Sequence, residues 1–365
     1  MTDEPASEVH RRAVALSRDD REVVGPLKGY HHEAYAFPLP AGNPLRERFE
    51  RGKLRAPRPG VLWYDRRCFA SEDELLRALR GRISRIPETM EVADGFHLQG
   101  FIEGRTLGAG ALSGHSLSPR HERQLGRLFG ELVAVKTDEL DGVARTCPPG
   151  GPPPSGEDSA AFLDRLAGFT RDQVYGRNEA VYGELFDGLG VRPAALDRVG
   201  SPAAGRLANR PFALLHGDLH RRNLIVDTRG DLWTIDWELA MIGDPLYELA
   251  THLHLMGYHR REERRVGLRW ATAVESVLPG STRAWVRDLP ALLAYKRTQS
   301  VFTDVIRTAA ALGPRSDPNW KALPGAAWKV RRALIAAREP LGLAHVPSLP
   351  QVMAVYRGWL RSGGG

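Results

Sequence analysis

The stretch that most restricts this chain is Leu215-His216-Gly217-Asp218-Leu219-His220-Arg221-Arg222-Asn223, followed by Leu232-Trp233-Thr234-Ile235-Asp236-Trp237-Glu238. An apolar run, Ala213 to Leu215, ends in a loop that carries one carboxylate, Asp218, and one carboxamide, Asn223, five positions later. Leu224-Ile225-Val226 reads as a short strand. Asp227-Thr228-Arg229-Gly230 reads as a turn closed by glycine. Leu232 to Ile235 is the returning strand, with Asp236 at its tip. A hairpin of this kind sets Asn223 beside Asp236 and keeps Asp218 close to both. Two hard oxygen ligands next to a third carboxylate suit Mg²⁺, which keeps waters and phosphate oxygens as its other ligands.

The order His-x-Asp-x-x-x-x-Asn, then a metal-binding Asp, is the pattern of kinase-like phosphotransferases. His216, Asp218 and Asn223 meet it at the right intervals. The wording His-Gly-Asp-Leu-His, with Gly243-Asp244-Pro245 soon after Asp236, resembles the aminoglycoside phosphotransferase family more than the protein kinases. The resemblance implies a two-lobed, protein-kinase-like α+β fold. Residues 1–102 would form a small nucleotide-binding lobe around an antiparallel sheet, and residues 103–365 a larger, mostly helical catalytic and substrate-binding lobe. It also implies Asp218 as the base that orients a substrate hydroxyl, and Asn223 and Asp236 as Mg²⁺ ligands. The bland alternative is an acidic turn beside a hairpin, and the agreement of four spaced positions with the hairpin speaks against it.

The 365 residues suffice for a sizeable core and about two lobes. Hydrophobic content of 42% and charged content of 26% are ordinary for a globular chain. No apolar run is long enough for a membrane span, and the acidic start, Met1 to Glu8, lacks the apolar centre of a secretory signal. Cys68 and Cys147 make neither a disulfide framework nor a metal spacing. These features favour the cytoplasm and call for no obligate protein partner. The net charge of +7 could suggest nucleic acid, but the arginines are scattered and no nucleic-acid motif is present.

Along the chain, Val23-Val24 and Ala34 to Phe37 read as strands around Pro26 to Glu33. In kinases a glycine-rich loop stands here over the nucleotide phosphates. Only Gly29 remains in this loop, and His31 and His32 after it read as solvated rather than as a metal pair. Phe49 to Arg55 reads as the next strand, and the resemblance asks for a phosphate-binding lysine on it. Lys53 fits, with Arg55 on the same face as the fallback. Val61 to Tyr64 is a further strand-like run. Ser71 opens a helix with a capping box to Glu74. The glutamate that the family pairs with the lysine is Glu72 or Glu74, with register favouring Glu72. Phe96 to Gly104 is a strand running into a turn, where the resemblance places the hinge and the adenine-binding backbone of Gln99, Phe101 and Ile102.

Ser118-Pro119 starts a helix with Leu125, Leu128, Phe129 and Leu132 as its buried stripe. Thr146 to Gly156 is a Pro/Gly-rich exposed loop, and Phe162 to Phe186 is helical. Asp244 caps a helix from Pro245 to Met256, which leaves no room for a long activation loop after Asp236; in the family Asp244 also braces the catalytic loop. His252, His254 and His259 read as structural or solvated. Helices follow over Val266 to Val277, Trp285 to Ala311 and Ala326 to Arg338, and Ser362 to Gly365 is a tail.

The expected reaction moves the γ-phosphoryl group of ATP, or of GTP as the alternative donor, to a hydroxyl of a small molecule, with Mg²⁺ as cofactor. A sugar or aminocyclitol, as in antibiotic inactivation, is the acceptor the resemblance implies. The basic chain and the dispersed acids of residues 260–360 leave room for another antibiotic or metabolite. A nucleotide-binding pseudokinase-like module is the rival reading, and the complete set of Asp218, Asn223 and Asp236 weighs against it. A protein kinase is disfavoured by the missing activation loop and by Gly217, where protein kinases carry arginine.

Overall fold

The computed structural model describes residues 7–29, 31–59, 61–93, 96–108, 117–146, 158–200 and 207–362. The acidic start up to Ser7, Cys147, nearly all of the Pro/Gly-rich loop and the last three glycines lie outside these residues.

The small lobe begins with α1 (Glu8–Ser17), capped by Ser7, whose Oγ accepts the His10 N–H at 3.2 Å. Strands β1 (His32–Pro38) and β2 (Arg51–Pro57), helix α2 (Glu72–Leu79) and strands β3 (Thr89–Ala93) and β4 (Phe96–Gly100) follow. The strands form one antiparallel sheet in the order β1-β2-β4-β3. Val24 adds only a single bridge to Ala36. Strand alternation separates the two faces. Tyr35, Leu54 and Leu98 point to the core shared with Val9 and Ala13 of α1. Lys53, Gln99 and Thr89 form one cross-strand row on the opposite face. That face meets α2, because Gln99 Nε2 and Thr89 Oγ1 both donate to Asp73 Oδ1, at 2.8 and 2.9 Å.

Two local expectations need correction. Ser71 Oγ accepts the Glu74 N–H at 3.3 Å, which is half of the expected capping box. Val61 to Tyr64 is not a strand but an irregular strap. Its rings find partners in opposite directions. Trp63 stacks on His31 with centroids 4.1 Å apart, while Tyr64 is buried in the core of the helical lobe.

The chain leaves the sheet at Gly100 and enters β5 (Gly104–Thr106). Helices α3 (Pro119–Ala134), α4 (Ser159–Phe169), α5 (Glu179–Gly188) and α6 (Ala194–Val199) lead to the short strands β6 (Ala213–Leu215), β7 (Leu224–Asp227), β8 (Leu232–Thr234) and β9 (Met241–Gly243). A π-helical turn, Thr170–Tyr175, breaks the single helix expected from Phe162 to Phe186. Helices α7 (Pro245–Met256), α8 (Arg260–Glu275), α9 (Trp285–Ala311), α10 (Leu323–Ala336) and α11 (Leu349–Ser362) complete the lobe. β7 and β8 form the expected hairpin, with β5 on its outer edge, and β6 pairs with β9. The hairpin carries the active face between the lobes: Ile225, Trp233 and Ile235 pack on the small-lobe core. Among the described residues no helix is long and apolar enough to cross a membrane.

Candidate active site

The loop between β6 and β7 is locked from both sides. The β7–β8 register pairs Leu224 with Thr234, and the Ile235 N–H donates to Asn223 O at 3.0 Å, so Asp236 emerges next to Asn223. Asn223 Nδ2 donates to Asp218 O and Asp218 Oδ2, both at 3.0 Å. The carboxamide therefore fixes Asp218 with its nitrogen, and its oxygen is the atom left to face a cation. His216 is fully buried. Its Nδ1 accepts the Asp218 N–H at 3.3 Å, so its Nε2 carries the proton and donates to Ile235 O at 3.2 Å. Burial lowers the His216 pKa to about 3, which keeps it a neutral strut. Gly217 has φ +77°, and a Cβ there would lie 2.7 Å from Leu239 O. Glycine is what this turn needs, which gives a local reason for the missing arginine.

Helix α7 grips the loop with residues four apart. Glu248 Oε2 accepts the Gly217 N–H at 2.9 Å. His252 donates from Nδ1 to Leu219 O at 2.9 Å and accepts from Tyr258 OH at Nε2, 3.1 Å away. Asp244 makes the expected helix cap and has a further partner. It caps α7 through the Leu246 N–H at 2.9 Å and pairs with the buried Arg210, which also binds Asp288 at 2.8 Å. The loop brace that the resemblance gave to Asp244 is supplied by Glu248 and His252. The i, i+4 spacing of 244, 248 and 252 was visible in the sequence; their contacts were not. His220 was also passed over. Its Nδ1 accepts the N–H groups of Arg222 and Asn223, so the proton sits on Nε2, 3.6 Å from Asp218 Oδ2.

Asp236 adopts φ +67°, a left-handed conformation that is uncommon outside glycine and turns its side chain into the cleft. One oxygen each from Glu72, Asp236 and Glu238 lies within 4.8 Å of the others. Although Asp236 keeps solvent access at the cleft, desolvation by the surrounding chain raises its pKa, and Glu72 and Glu238 push it further in the same direction. Burial likewise holds Asp218 well above the ordinary carboxylate range, with Asp236 and Asp65 adding to it.

The cation that makes ion pairs with these acids is Arg55, and Lys53 also feels Glu72 and Asp236. Arg55 Nη1 lies 2.5 Å from Glu72 and 3.2 Å from Glu238, and Nη2 lies 3.0 Å from Asp73. Glu72, the glutamate that register favours, is the one Arg55 reaches, and it also accepts the Trp237 N–H at 3.0 Å. Glu74 takes no part. Lys53 stands two residues away on the same face. Its pKa is depressed by burial and by Arg55, and Glu72, Asp236 and Asp73 oppose this. A guanidinium reaches three carboxylates at once through a planar fork of donors, which spans more space than the compact head of an ammonium. His31 and His32, expected to be solvated, hold Glu238 instead, with Nδ1 atoms 3.2 and 2.5 Å from its oxygens. Burial acts to raise the Glu238 pKa, yet the two histidines and Arg55 hold it well below the ordinary range.

The hinge residues divide. Gln99 is inside the ladder, with its side chain on Asp73. The Phe101 N–H donates to Arg51 O at 2.9 Å. Among the described residues, the Ile102 N–H has no backbone partner. The Gln99 side chain braces α2.

A model of the phosphotransferase enzyme family matches residues 42–289, more than half of the chain. No curated protein matches in a sequence search. Solved structures that resemble the chain include macrolide 2'-phosphotransferase MphH from Brachybacterium faecium. It is 17% identical with a TM-score of 0.51, and the match covers 90% of this chain and 97% of that one. A thermostable mutant of aminoglycoside phosphotransferase APH(4)-Ia, in ternary complex with AMP-PNP and hygromycin B, is 14% identical with a TM-score of 0.52, covering 93% and 100%. These likenesses establish the two-lobed kinase-like fold, and the family match settles membership: the chain belongs to the phosphotransferase enzyme family.

Proposed function

We propose that this protein transfers the γ-phosphoryl group of ATP to a hydroxyl of a small molecule. The observation that carries the reading is the Asn223 carboxamide, which holds Asp218 with its nitrogen beside the Asp236 tip of the same hairpin. Asp218 is the group that aligns the acceptor hydroxyl and takes its proton as the new O–P bond forms and the bond to the ADP leaving group breaks. Burial raises its pKa above the ordinary carboxylate range, which strengthens it as a proton acceptor when ionised. Glu248, His252 and His216 position the loop and touch no substrate.

The residues present fit Mg²⁺. Asn223 and Asp236 would hold it, since both are hard oxygen donors and the crowding of Glu72 and Glu238 around Asp236 is relieved by a cation. When bound, the ion neutralises charge on the phosphates. Arg55 on Glu72 takes the place foreseen for Lys53 as the anchored phosphate cation, and Lys53 flanks it. Ile102 offers the hinge N–H to adenine.

The test is ATP-dependent ADP release, with and without EDTA, across sugars, aminoglycosides, macrolides and common hydroxylated metabolites. Acceptor-stimulated, Mg²⁺-dependent release supports the reading. ATP binding with no stimulation by any acceptor favours the nucleotide-binding module instead.

A further inference from the structure

Helices α3 and α8 lie side by side and run in the same direction. A Cβ at Gly126 would lie 3.0 Å from Arg269 Cγ, and one at Gly130 would lie 3.7 Å from Ala273 O and from Val277 Cγ2. A groove of about 760 Å³ follows this seam. It tracks α3 from Arg123 to Ala134, about 17 Å at the helical rise.

The two ends of the groove differ. Arg123 and Arg127 of α3 and Arg265 and Arg269 of α8 line the end nearer the helix starts. Arg265 and Arg269 share the buried Glu122, and Arg265 also lies 3.8 Å from Glu262. Arg123 and Arg127 are both exposed, and neither has an ion-pair or hydrogen-bond partner among the described residues. The one acid of the lining, Glu131, is turned to Ser84, whose N–H and Oγ donate to its Oε2 at 2.9 and 3.0 Å. At the other end Ala134, Ala273 and Val277 form an apolar floor. The hydroxyls of Thr272 and Ser276 do not interrupt it, because they donate back to the carbonyls of Leu268 and Ala273. Leu268 is 53% exposed and Val277 45%, so large apolar side chains are left in water in both halves of the groove.

An apolar groove with its cations gathered at one end calls for a partner with the complementary order. A second copy docked through the same face would set arginine against arginine. A nucleic acid would satisfy the arginines but carry phosphates over the apolar end. A flat bilayer cannot enter the seam. A short helix meets every demand: about three turns span the groove, apolar side chains enter its floor, and carboxylates reach the arginines. We propose that the groove between α3 and α8 docks a helical segment of another protein, acidic toward one end and apolar toward the other, with its acids on Arg123 and Arg127.

The experiment titrates labelled, end-capped helical peptides of about four turns with the full chain. The first carries glutamate in its N-terminal half and leucine on one face of its C-terminal half. The second has lysine for each glutamate, and the third has its leucines scattered around the helix. Fluorescence anisotropy should show saturable binding of the first, with the other two weaker by about tenfold or more. Arg123→Gln with Arg127→Gln should weaken the first peptide by a similar factor. Ala134→Arg should weaken it as well, although it adds a positive charge, because its bulk fills the apolar end. All three positions are exposed, so Tm should not move. The proposal is overturned by no saturable binding at millimolar concentration, by equal binding of the lysine or scattered peptide, or by binding indifferent to either variant. Tighter binding of short duplex DNA or phosphatidylglycerol vesicles at the same arginines overturns it too, as does a dimer of the chain alone that Ala134→Arg returns to monomer.

Discussion

The two sides of Asp218 are opposite in their electrostatics. On the nucleotide side, three carboxylates crowd together, and Arg55 is committed to two of them and to Asp73. Asp236 is left with a raised pKa, an acid short of a counter-charge. On the other side of Asp218, one carboxylate, Asp65, accepts from Gln299 and lies near the buried Lys296. The first side is crowded with acids, whereas on the second the carboxylate already has a cationic neighbour. On the proposed reading, the like-charge crowding beside Asp218 marks the side on which metal-bound phosphates would enter. The difference can be broken or sharpened by removing charges one side at a time.

The largest effect is expected from Asp236→Ala, which removes the only carboxylate of the hairpin tip. Mg²⁺-dependent turnover should vanish into background in a steady-state ADP-release assay. Retained turnover would show that Glu72 and Glu238 suffice without the hairpin. Asn223→Ala should weaken the same step less, because it leaves the carboxylate in place.

Next comes Arg55→Ala. It leaves Glu72, Asp73 and Glu238 partly unpaired in a buried site, and removing one partner of a buried ion pair costs about 3–5 kcal/mol. Lys53→Ala should cost clearly less. Chemical unfolding of both variants decides the matter, and equal losses would mean that the two cations share the acids in solution.

This pair also shows where the sequence was legible. The hairpin could be read because turn chemistry and strand period are local, and they force Asn223 and Asp236 together whatever the rest does. Helix α7 was equally readable from Asp244 and Pro245. Arg55 over Lys53 was not, since both lie on the same strand face and the choice depends on Glu72, Asp73 and Glu238 from distant segments. Glu248 and His252 were missed for a related reason. An i, i+4 pair on a helix says that two side chains share a face, but only the packing of α7 under the loop says what that face holds. The strand reading of Val61 to Tyr64 failed because apolar runs carry no sign of whether a ladder is available.

The smallest effect concerns pH. Burial raises the Glu248 pKa from 4.5 to about 7, against the lowering effect of the Gly217 N–H. A group with a raised folded pKa contributes stability that is fully present below its unfolded value and is lost as pH rises through the folded one. Glu248 should therefore take roughly 3 kcal/mol from the wild-type protein between about pH 4.5 and 8. Glu248→Gln keeps an acceptor for Gly217 and cannot ionise. Its stability relative to wild type should rise with pH across that window, as read by Tm at pH 5 and 8. A constant difference would mean that Glu248 is solvated or already charged at pH 5.

The division of labour around Asp218 is tested most directly by Asp218→Asn, with nucleotide affinity and single-turnover phosphoryl transfer measured on the same preparation. The carboxamide keeps the shape of the loop and loses the base. Mg·ATP affinity should persist while transfer to an accepted hydroxyl compound falls by roughly 10² to 10⁴. Transfer at the wild-type rate, or loss of affinity and transfer together, would contradict the assignment of Asp218 as the acceptor-side base.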